Sequence, residues 1–478
     1  MFDSFIFVQK HGRMNHEQQI NELYDIVFNL IKELEGFKKT NAQLQNEIIL
    51  LSQENQLLKQ KLEKYRTPKN SGNSSKPPSS DLPKLQKTQS LRTPSGKKPG
   101  GQPGHEGTTL KMTNAPDTIQ KHSPNYCTCC GEDLSHYQAH FIGHRQVIDI
   151  PPIKPIVTEH QLFEVHCRCG HNNKASYPKG VVTPVSYGPG VQSLVSYLSV
   201  RQYLPVERIT ELLSSLYGLM LSTGGVCYLL EKVKQKALPV YETIRQIVAN
   251  GKVTGADETG VNINGKNYWA WTFQNTIATY IAIHQSRGKK AIDHIMPEGF
   301  ENNILVTDCW PAYFKDNAAG HQLCTAHLLR ELKFFTQKYP EDTWSPRFSE
   351  LITSAIHERK KDELSPQKSR EITQTFLELI KEPVNQKIKE LITFQKRMVK
   401  YSGYVFAFLD NPNIPPDNNS SERAIRNFKI KLKVSNFFKS PAGSETYAVI
   451  RSVIDTAIKN QQNPYEVTRL IAILPATE

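Results

Sequence analysis

The sequence predicts a multidomain α/β protein whose segments differ sharply in character, and three observations carry this prediction. Apolar residues repeat with heptad spacing from residue 20 to residue 65. Two close cysteine pairs follow between residues 127 and 169, and a series of strand-like segments begins at residue 252. These patterns are typical of a coiled coil, a metal-bound ribbon and a sheet domain, respectively. A chain of 478 residues has room for about two to four domains.

The overall charge indicates an anionic partner. The chain carries a formal net charge of +13 and has a pI of about 9.1, which makes nucleic acid the first candidate and a membrane surface the second. An ordinary basic protein is the alternative. No apolar run reaches the ~18–20 residues of a transmembrane helix, and Phe5–Val8 is too short for a signal-peptide core. We therefore expect a cytoplasmic protein.

Residues 14–65 are predicted to form a coiled-coil dimerisation helix. The stretch before this helix shows no pattern, so Met1 and Met14 are alternative translation starts. Leu dominates the second core position, as in parallel two-stranded coils, and Asn at the first position fixes register at a cost in stability. We expect a homodimer or higher oligomer through residues 20–65. One amphipathic helix packed on its own domain is the alternative. The two core positions are occupied by Ile20, Val27, Leu34, Asn41, Ile48, Asn55 and Leu62 and by Leu23, Leu30, Phe37, Leu44, Leu51, Leu58 and Tyr65.

Residues 66–121 are rich in Pro, Gly, Ser and Lys and lack apolar periodicity. This composition predicts a flexible basic linker. Its lysines, among them Lys97 and Lys98, would add salt-sensitive contacts to DNA phosphates. A solvated tether without DNA contacts is the alternative.

Residues 122–180 are predicted to form a zinc-ribbon DNA-binding domain. Cys127–Gly131 and Cys167–Gly170 each contain a cysteine pair followed by glycine, which allows two knuckles to surround one tetrahedral zinc ion. The segment Gln146–Val165 alternates like paired strands. In a reducing compartment such clustering favours metal over disulfides.

We assign four zinc ligands and leave Cys129 as the spare thiol. His166 or His171 could replace one thiolate, because the second pair has a shorter spacing than usual. Reduced structural cysteines without metal are the alternative. The assigned ligands are Cys127, Cys130, Cys167 and Cys169.

Residues 186–248 are predicted to be helical. One helix begins near Pro205 and ends at Gly218, and a second begins after Ser222 or Thr223. Two helices with a short glycine-containing turn are compatible with a DNA-binding helix-turn-helix. A helical hairpin that supports the next domain is an equal alternative.

The next segment carries the strands. Lys252–His284 is predicted as three strands, separated at Asn264-Gly265 and around Asn275-Thr276. Asn303–Asp308 is a fourth, and Leu328–Phe335 is helical. This order is the one expected of a ribonuclease-H-like domain, which we place at residues 249–440 with a helical insertion at about 336–411. A helical segment, residues 441–478, follows.

Three acidic residues stand out in this domain, and each has a structural alternative. Asp257 lies within the first strand, where it could be an edge or turn residue, and its neighbour Glu258 should face the opposite way. Asp308 ends an apolar strand and could cap a helix after Pro311. Glu422 follows Asn419 by three residues, which is the spacing of a helix capping box.

Motifs along nearly the whole chain give a more specific indication. The sequence resembles transposases of the insertion sequence 66 family. The residues that carry this resemblance are Asn70–Asp81, Pro99–Gly107, the cysteine pairs, Tyr187–Pro189, Gln202–Arg208, Asp257–Thr259, Thr307–Asp308, Cys324–Arg330 and Asn418–Arg426.

The resemblance implies an Asp-Asp-Glu triad at Asp257, Asp308 and Glu422, with Glu258 and Asp417 as the nearest other acids. Two magnesium (or manganese) ions roughly 3.5–4 Å apart would activate the attacking oxygen and stabilise the leaving oxygen, and carboxylate oxygens suit such hard ions. The expected reaction is cleavage at the ends of an insertion sequence, followed by joining of the 3′-hydroxyls to target DNA.

Related families carry Cys-x-x-His after the second aspartate, which suggests that His327, with Cys324, supports catalysis. A structural histidine is the alternative. Trp269, Trp271 and Trp310 are expected in the core or stacked on substrate. After Glu422, a basic helix face is expected to contact DNA through Arg423, Arg426, Lys429 and Lys433.

The resemblance also implies the biological setting. It favours a bacterial, nucleoid-associated protein whose partners are the terminal repeats, target DNA and companion proteins encoded by the same element. A relic transposase that binds DNA without catalysis is one alternative, and a nuclease of the same fold that cuts without joining is another. Retention of all three acids disfavours the relic.

Overall fold

The computed structural model describes residues 16–66, 69–70, 73–74, 100, 102, 104–107, 110–178, 180–181, 183–315, 317–361 and 364–475. Lys97 and Lys98 lie outside the described residues. The chain divides into two compact units, one formed by residues 1–85 with 330–347 and the other by residues 86–329 with 348–478. Among the helices that the structure describes, none is long and apolar enough to cross a membrane.

The first unit contains the long helix α1 (His16–Arg66), which confirms a continuous helix over the heptad segment. Its described core positions lie on the surface: Leu23 and Phe37 are 66% and 71% exposed. Nothing in the described chain covers this apolar seam. An exposed apolar seam is the surface that the heptad pattern predicts, and its pairing with a second helix stays a prediction.

Part of the predicted linker is ordered in the same unit. Asn73 and Ser74 are buried, and the Asn70 carbonyl oxygen accepts hydrogen bonds from the Asn73 amide at 3.2 Å and the Ser74 hydroxyl at 2.6 Å. The Asn73 side-chain amide donates to Gln337 at 3.4 Å. Short polar side chains thus fold the backbone into a local turn at these residues.

The cysteine region of the second unit contains little regular structure. Its hairpin consists of β1 (Glu164–His166) and β2 (Asn172–Lys174). Paired strands over Gln146–Val165 were therefore predicted wrongly, except at their end. Pro151, Pro152 and Pro155 explain the difference, because proline cannot donate to a strand ladder.

Three helices precede the sheet: α2 (Pro189–Ser196), α3 (Val206–Tyr217) and α4 (Thr223–Ala249). As predicted, α3 ends at Gly218 in a left-handed conformation (φ 64°), and the Ser222 hydroxyl accepts from the Gly225 amide at 3.0 Å at the start of α4. The later turns of α4 are buried in the core of the sheet. That burial is the arrangement of a supporting hairpin, and DNA recognition by these helices stays a prediction.

The sheet has the order β5-β4-β3-β6-β7. Its first three strands, β3 (Val253–Ile263), β4 (Lys266–Gln274) and β5 (Thr279–His284), form an antiparallel meander. The break predicted at Asn264-Gly265 is confirmed, with φ of 48° and 76° at the two residues. After α5 (Lys289–Ile295), strand β6 (Ile304–Thr307) runs parallel to β3.

A fifth strand, β7 (Gly320–Leu323), runs parallel to β6 and was not predicted. The helix after it, α6 (Thr325–Lys338), includes the predicted Leu328–Phe335. Strand β7 has only four residues and little alternation, so its pairing depends on the neighbouring strand rather than on a local pattern.

The segment predicted as an insertion is helical and contains α7 (Trp344–Arg359), α8 (Pro366–Leu379), α9 (Lys389–Lys400) and α10 (Ala407–Asp410). Its own core contains Phe348 stacked on Phe376, with ring centroids 5.2 Å apart. The chain then returns to the sheet through α11 (Asn419–Ser435) and ends with α12 (Pro441–Lys459) and α13 (Pro464–Ile473). Helix α12 packs on β5 and α4, so the C-terminal segment belongs to the sheet domain.

The first turn of α11 lies directly against β3 at Gly255. A Cβ atom at Gly255 would lie 2.5 Å from Ser421 Oγ, 2.7 Å from Asn418 Oδ1 and 2.7 Å from Gln274 Nε2. All three of these side chains are buried. Only glycine therefore leaves room for α11 at this point of the sheet.

We predict that Gly255→Ala lowers the free energy of unfolding by about 1–3 kcal/mol, because the added methyl group overpacks this contact. Denaturant unfolding measures the loss. Gly260→Ala is the matched control, since Gly260 is exposed on the same strand and a Cβ there meets nothing within 4 Å. Equal unfolding midpoints for the two variants would show that the contact at Gly255 is looser than described.

Candidate active site

Three carboxylates from distant segments lie near enough on the α11 side of the sheet for their charges to interact, although their oxygens do not form a group within 4.8 Å of one another in the described structure. Asp257 lies within β3, two residues beyond Gly255, and Asp308 follows β6, two residues beyond Val306. Because Gly255 and Val306 are paired in parallel register, the two aspartates lie at the same level of adjacent strands. Glu422 approaches from the first turn of α11.

Burial and mutual repulsion dominate the electrostatics of this cluster. The pKa of Asp257 is raised well above its ordinary value, first by burial and then by the charges of Glu258, Asp308 and Glu422, with Lys429 opposing the rise. Burial also raises the pKa of Asp308, together with the charge of Glu258. The site therefore concentrates negative charge that its own cations offset only in part.

Glu422 does not form the capping box that its local sequence suggests. The N-cap of α11 is Asn418, and its side chain makes no cap hydrogen bond. It donates instead to the Ala256 carbonyl oxygen of β3 at 2.6 Å. The Glu422 carboxylate lies beside His327, with Oε1 3.6 Å from Nε2. Glu422 is thus directed toward the aspartates by the approach of α11 to β3.

The structural alternative is excluded for Asp257, whereas Asp308 does make a local structural hydrogen bond. Asp257 is neither an edge nor a turn residue, since β3 is the central strand of the sheet. Asp308 does accept a local hydrogen bond, from the Trp310 amide at 2.8 Å. This turn holds the carboxylate in place at the end of β6, and only a short 3₁₀ turn (Tyr313–Lys315) follows.

His327 and Cys324 lie beside Glu422. In the described part of the chain, these three form the group of potential metal ligands whose donor atoms lie within 4.8 Å of one another. Cys324 is buried, which raises the pKa of its thiol to about 12, and its Sγ accepts from the Asn418 amide at 3.2 Å. A neutral thiol is a poor ligand for a hard ion, so the oxygen ligands define this site.

Glu258 has a different role from its neighbour Asp257. Its side chain is 2% exposed and accepts hydrogen bonds from Arg287 Nε at 2.9 Å and from the Tyr313 hydroxyl. The Arg287 guanidinium in turn lies over the rings of Trp269 and Trp310. Arg287 and Tyr313 were not identified from the sequence, since their partners come from other segments. The three tryptophans near Asp257 and Asp308 were the available signal.

The basic residues after Glu422 divide between faces of α11. Arg426, Lys429 and Lys433 follow Glu422 at intervals of four, three and four residues, so they share its face. Arg423 falls on another face, where its guanidinium donates to Ser420 Oγ at 2.9 Å. The shared face therefore forms a basic row that leads away from the carboxylates.

The two cysteine pairs occupy similar knuckles. The Gly131 amide donates to the Cys127 carbonyl at 3.0 Å and the Gly170 amide to that of Cys167 at 2.9 Å, with glycine φ of 80° and 82°. Such left-handed turns favour glycine. The two knuckles are thus built to the same local design.

Hydrogen bonds within each knuckle lower the pKa of its first thiol. The pKa of Cys127 is lowered by the backbone amides of Cys130 and Cys129, and that of Cys167 by the backbone amide and side chain of Cys169. Thiolates are the form that binds zinc. The first thiol of each pair is therefore favoured as a thiolate, although the four sulfurs of the two pairs do not meet within 4.8 Å in the described structure.

Comparison with known proteins also separates the cysteine region from the region that contains the carboxylates. A family model described as "Transposase IS66 family" matches residues 184–446, which include the three carboxylates. A model described as the "zinc-finger binding domain of transposase IS66" matches residues 124–170, and a family of unknown function matches residues 30–111. The chain is also 23% identical over 403 residues to the "Uncharacterized protein y4jD" of Sinorhizobium fredii, covering 73% of this chain and 76% of that protein.

We predict that Asp257→Asn raises the melting temperature at neutral pH without added divalent cations, by at least about 2 °C. A carboxyl whose folded pKa is raised contributes stability that is complete below its unfolded pKa and is lost as pH rises through the folded pKa. Asparagine cannot ionise, so its advantage should shrink as pH falls toward the unfolded pKa of aspartate. Thermal unfolding from neutral to acidic pH measures this trend.

Asp293→Asn is the control, because Asp293 is an exposed carboxylate that pairs with Lys289 on α5. Its substitution should change the melting temperature little at any pH. A destabilising effect of Asp257→Asn at neutral pH would contradict the account of repulsion within the cluster.

Proposed function

The chain belongs to the IS66 family of transposases, and from this premise we propose that it cleaves the ends of an insertion sequence and joins the resulting 3′-hydroxyls to target DNA. The observation that carries the proposal is the meeting of Asp257, Asp308 and Glu422 from two strands and a helix. A cluster of partly buried, mutually repelling carboxylates costs stability, and such clusters are characteristic of active sites.

The order of the strands supports a ribonuclease-H-like catalytic domain. An antiparallel meander is followed by two parallel strands on the far side of β3, and the helical insertion separates β7 from α11. In this arrangement the two aspartates come from adjacent central strands. The glutamate arrives after the insertion.

The residues present suit two magnesium ions. Asp257, Asp308 and Glu422 offer oxygen ligands, and the burial and repulsion that raise the pKa of both aspartates support a place for positive charge beside them. When bound, such ions supply Lewis-acid stabilisation of the attacking and leaving oxygens of a phosphodiester. Chemistry of this kind requires no covalent protein–DNA intermediate.

Other residues of the chain would orient the acids and the DNA. The His327 imidazole, 3.6 Å from Glu422, would fix the orientation of that carboxylate. Its charge also lowers the pKa of Asp308. The basic row Arg426, Lys429 and Lys433 would hold the DNA backbone as it leaves the carboxylates, through contacts that carry no sequence information.

The zinc-finger domain supports zinc binding and DNA binding. We assign one zinc ion to Cys127, Cys130, Cys167 and Cys169, because hydrogen bonds pair Cys127 with Cys130 and Cys167 with Cys169. His166 is a weaker candidate than these thiols, since its Nδ1 contacts the Asn172 side chain.

The exposed seam of α1 supports pairing with a second copy of the chain through residues 20–65. A seam of Leu, Ile and Val at heptad spacing buries most of its area when two helices coil together. Light scattering of the full chain would test this, with a monomeric mass as the contradicting result.

We predict that Asp257→Asn, Asp308→Asn and Glu422→Gln each reduce strand cleavage by at least about 100-fold, because each removes a metal-binding carboxylate while keeping its size. The assay uses a supercoiled donor carrying the ends of the element, with and without magnesium. Binding of those ends should persist. Cleavage at the parental rate by any one variant would remove that residue from the triad.

Asp417→Asn is the matched control for this series. Asp417 adjoins the start of α11, and its carboxylate accepts from the Asn419 amide at 3.0 Å, a bond that asparagine can also accept. Its cleavage rate should stay close to that of the parent. Cleavage without joining would favour a nuclease, and DNA binding without cleavage would favour a relic.

We predict that the purified chain contains about one zinc ion and that Cys130→Ser or Cys167→Ser loses it, because serine does not replace a thiolate ligand of a four-coordinate site. Elemental analysis of the protein measures this. Cys129→Ser is the matched control and should retain zinc, since Cys129 is the spare thiol of the same knuckle. Loss of zinc from the control would reassign the ligands.

A further inference from the structure

Arg287 occupies a cage of aromatic side chains beside the carboxylates. It follows β5, and its guanidinium carbon lies 4.7 Å from the centroid of Trp269 and 3.9 Å from that of Trp310. Its Nε donates to Glu258 at 2.9 Å. Stacking on two indoles combines cation–π attraction with burial of the guanidinium faces.

The segment that carries Arg287 is fixed in place. The indole N–H of Trp271 donates to the Ser286 carbonyl at 3.2 Å, and that of Trp310 donates to the Arg287 carbonyl at 3.1 Å. Glu258, the acceptor for Nε, is itself held by the Tyr313 hydroxyl. The guanidinium is therefore pre-oriented, with little side-chain entropy left to lose on binding.

This arrangement leaves the outer edge of the guanidinium for a ligand. The guanidinium lies over two indole rings and its Nε donates to Glu258, whereas the two terminal nitrogens have no hydrogen-bond acceptor among the described residues. The side chain is 37% exposed. A bidentate counter-ion pair would place a second guanidinium nitrogen on the carboxylate, whereas Nε is the nitrogen that donates to Glu258 among the described residues.

The aromatic cage around Arg287 also adjoins the residues of the carboxylate cluster. Trp310 stacks on Arg287 and its amide donates to Asp308 at 2.8 Å, while Glu258 adjoins Asp257 on β3. The positive charge of Arg287 is close enough to Asp308 to lower the pKa of that group. An anion at the terminal nitrogens would thus lie next to the second aspartate.

We propose that Arg287 binds a phosphate of the DNA strand that enters the carboxylate cluster, and so positions that strand for cleavage. This inference rests on the proposed function. The planar guanidinium edge matches two phosphate oxygens in a bidentate geometry. The rigid cage fixes the phosphate relative to Asp308, which is the condition for positioning to raise the rate.

The test must separate phosphate binding from the pairing with Glu258, because removing Arg287 alone would leave a buried charge. The double variant Glu258→Gln/Arg287→Gln removes both charges, and Glu258→Gln alone keeps Arg287. Binding of a duplex carrying the element's end is measured across a salt series. Cleavage is measured on the supercoiled donor.

For the double variant we expect a melting temperature near that of the parent, cleavage reduced at least ten-fold, and a slope of log affinity against log salt smaller by about one. Glu258→Gln should keep the parental slope. A duplex with one neutral methylphosphonate beside the cut position should weaken binding by the parent and leave the double variant unchanged. Parental slope and cleavage in the double variant would overturn the proposal and leave Arg287 as a counter-ion.

Arg287→Lys keeps the inference testable if the double variant does not fold. Lysine retains the charge but lacks the planar edge and the stacking, so we expect a parental salt slope with cleavage reduced at least ten-fold. Parental cleavage by Arg287→Lys would overturn the proposal. A parent that never cleaves, combined with the loss of slope in the double variant, would refute the transposase reaction and retain the phosphate contact.

Discussion

The carboxylate cluster depends on the attachment of the chain just before α11 to the central strand β3 of the sheet. The Asn418 side chain donates to Ala256 of β3, the Asn418 amide donates to Cys324 Sγ, and Thr325 donates to the Pro416 carbonyl through its amide and its hydroxyl. One short segment is thereby linked to β3 and to the start of α6. The bare backbone of Gly255 allows this approach. A long helical insertion can then separate Asp308 from Glu422 in sequence without moving them apart in space.

Two adjacent acids of β3, Glu258 and Asp257, lie in different electrostatic environments, one suited to a structural role and the other to a chemical one. Glu258 is buried with a cation on one oxygen and a hydroxyl on the other, so its charge is offset. Asp257 has the opposite environment. The charges of Glu258, Asp308 and Glu422 all disfavour its ionised form, and the charge of Lys429 favours it. A protein selected for stability alone would not keep such a group. Its retention is consistent with a site completed by cations and DNA.

Much of this architecture could be predicted from local patterns, and the failures have physical causes. The β3–β4 hairpin was predictable because Asn264-Gly265 favours its turn whatever surrounds it. Strand β7 was not, since four residues acquire strand character only beside β6. The capping-box prediction failed because Asn418, rather than Asn419, is the N-cap of α11. Arg287 was missed because its cage is assembled from β3, β4 and the turn after β6, which no local pattern connects.

The pKa of cysteine is shifted in opposite directions at the two metal sites proposed for this chain. In the knuckles, hydrogen bonds lower the pKa of Cys127 and Cys167 and favour the thiolates that zinc requires. At the carboxylates, burial raises the pKa of Cys324 to about 12, and its sulfur accepts a backbone amide. Zinc would have to displace a proton and a hydrogen bond to use Cys324, whereas magnesium needs only the oxygens. The neutral thiol therefore favours hard ions at this site although a soft ligand lies within reach.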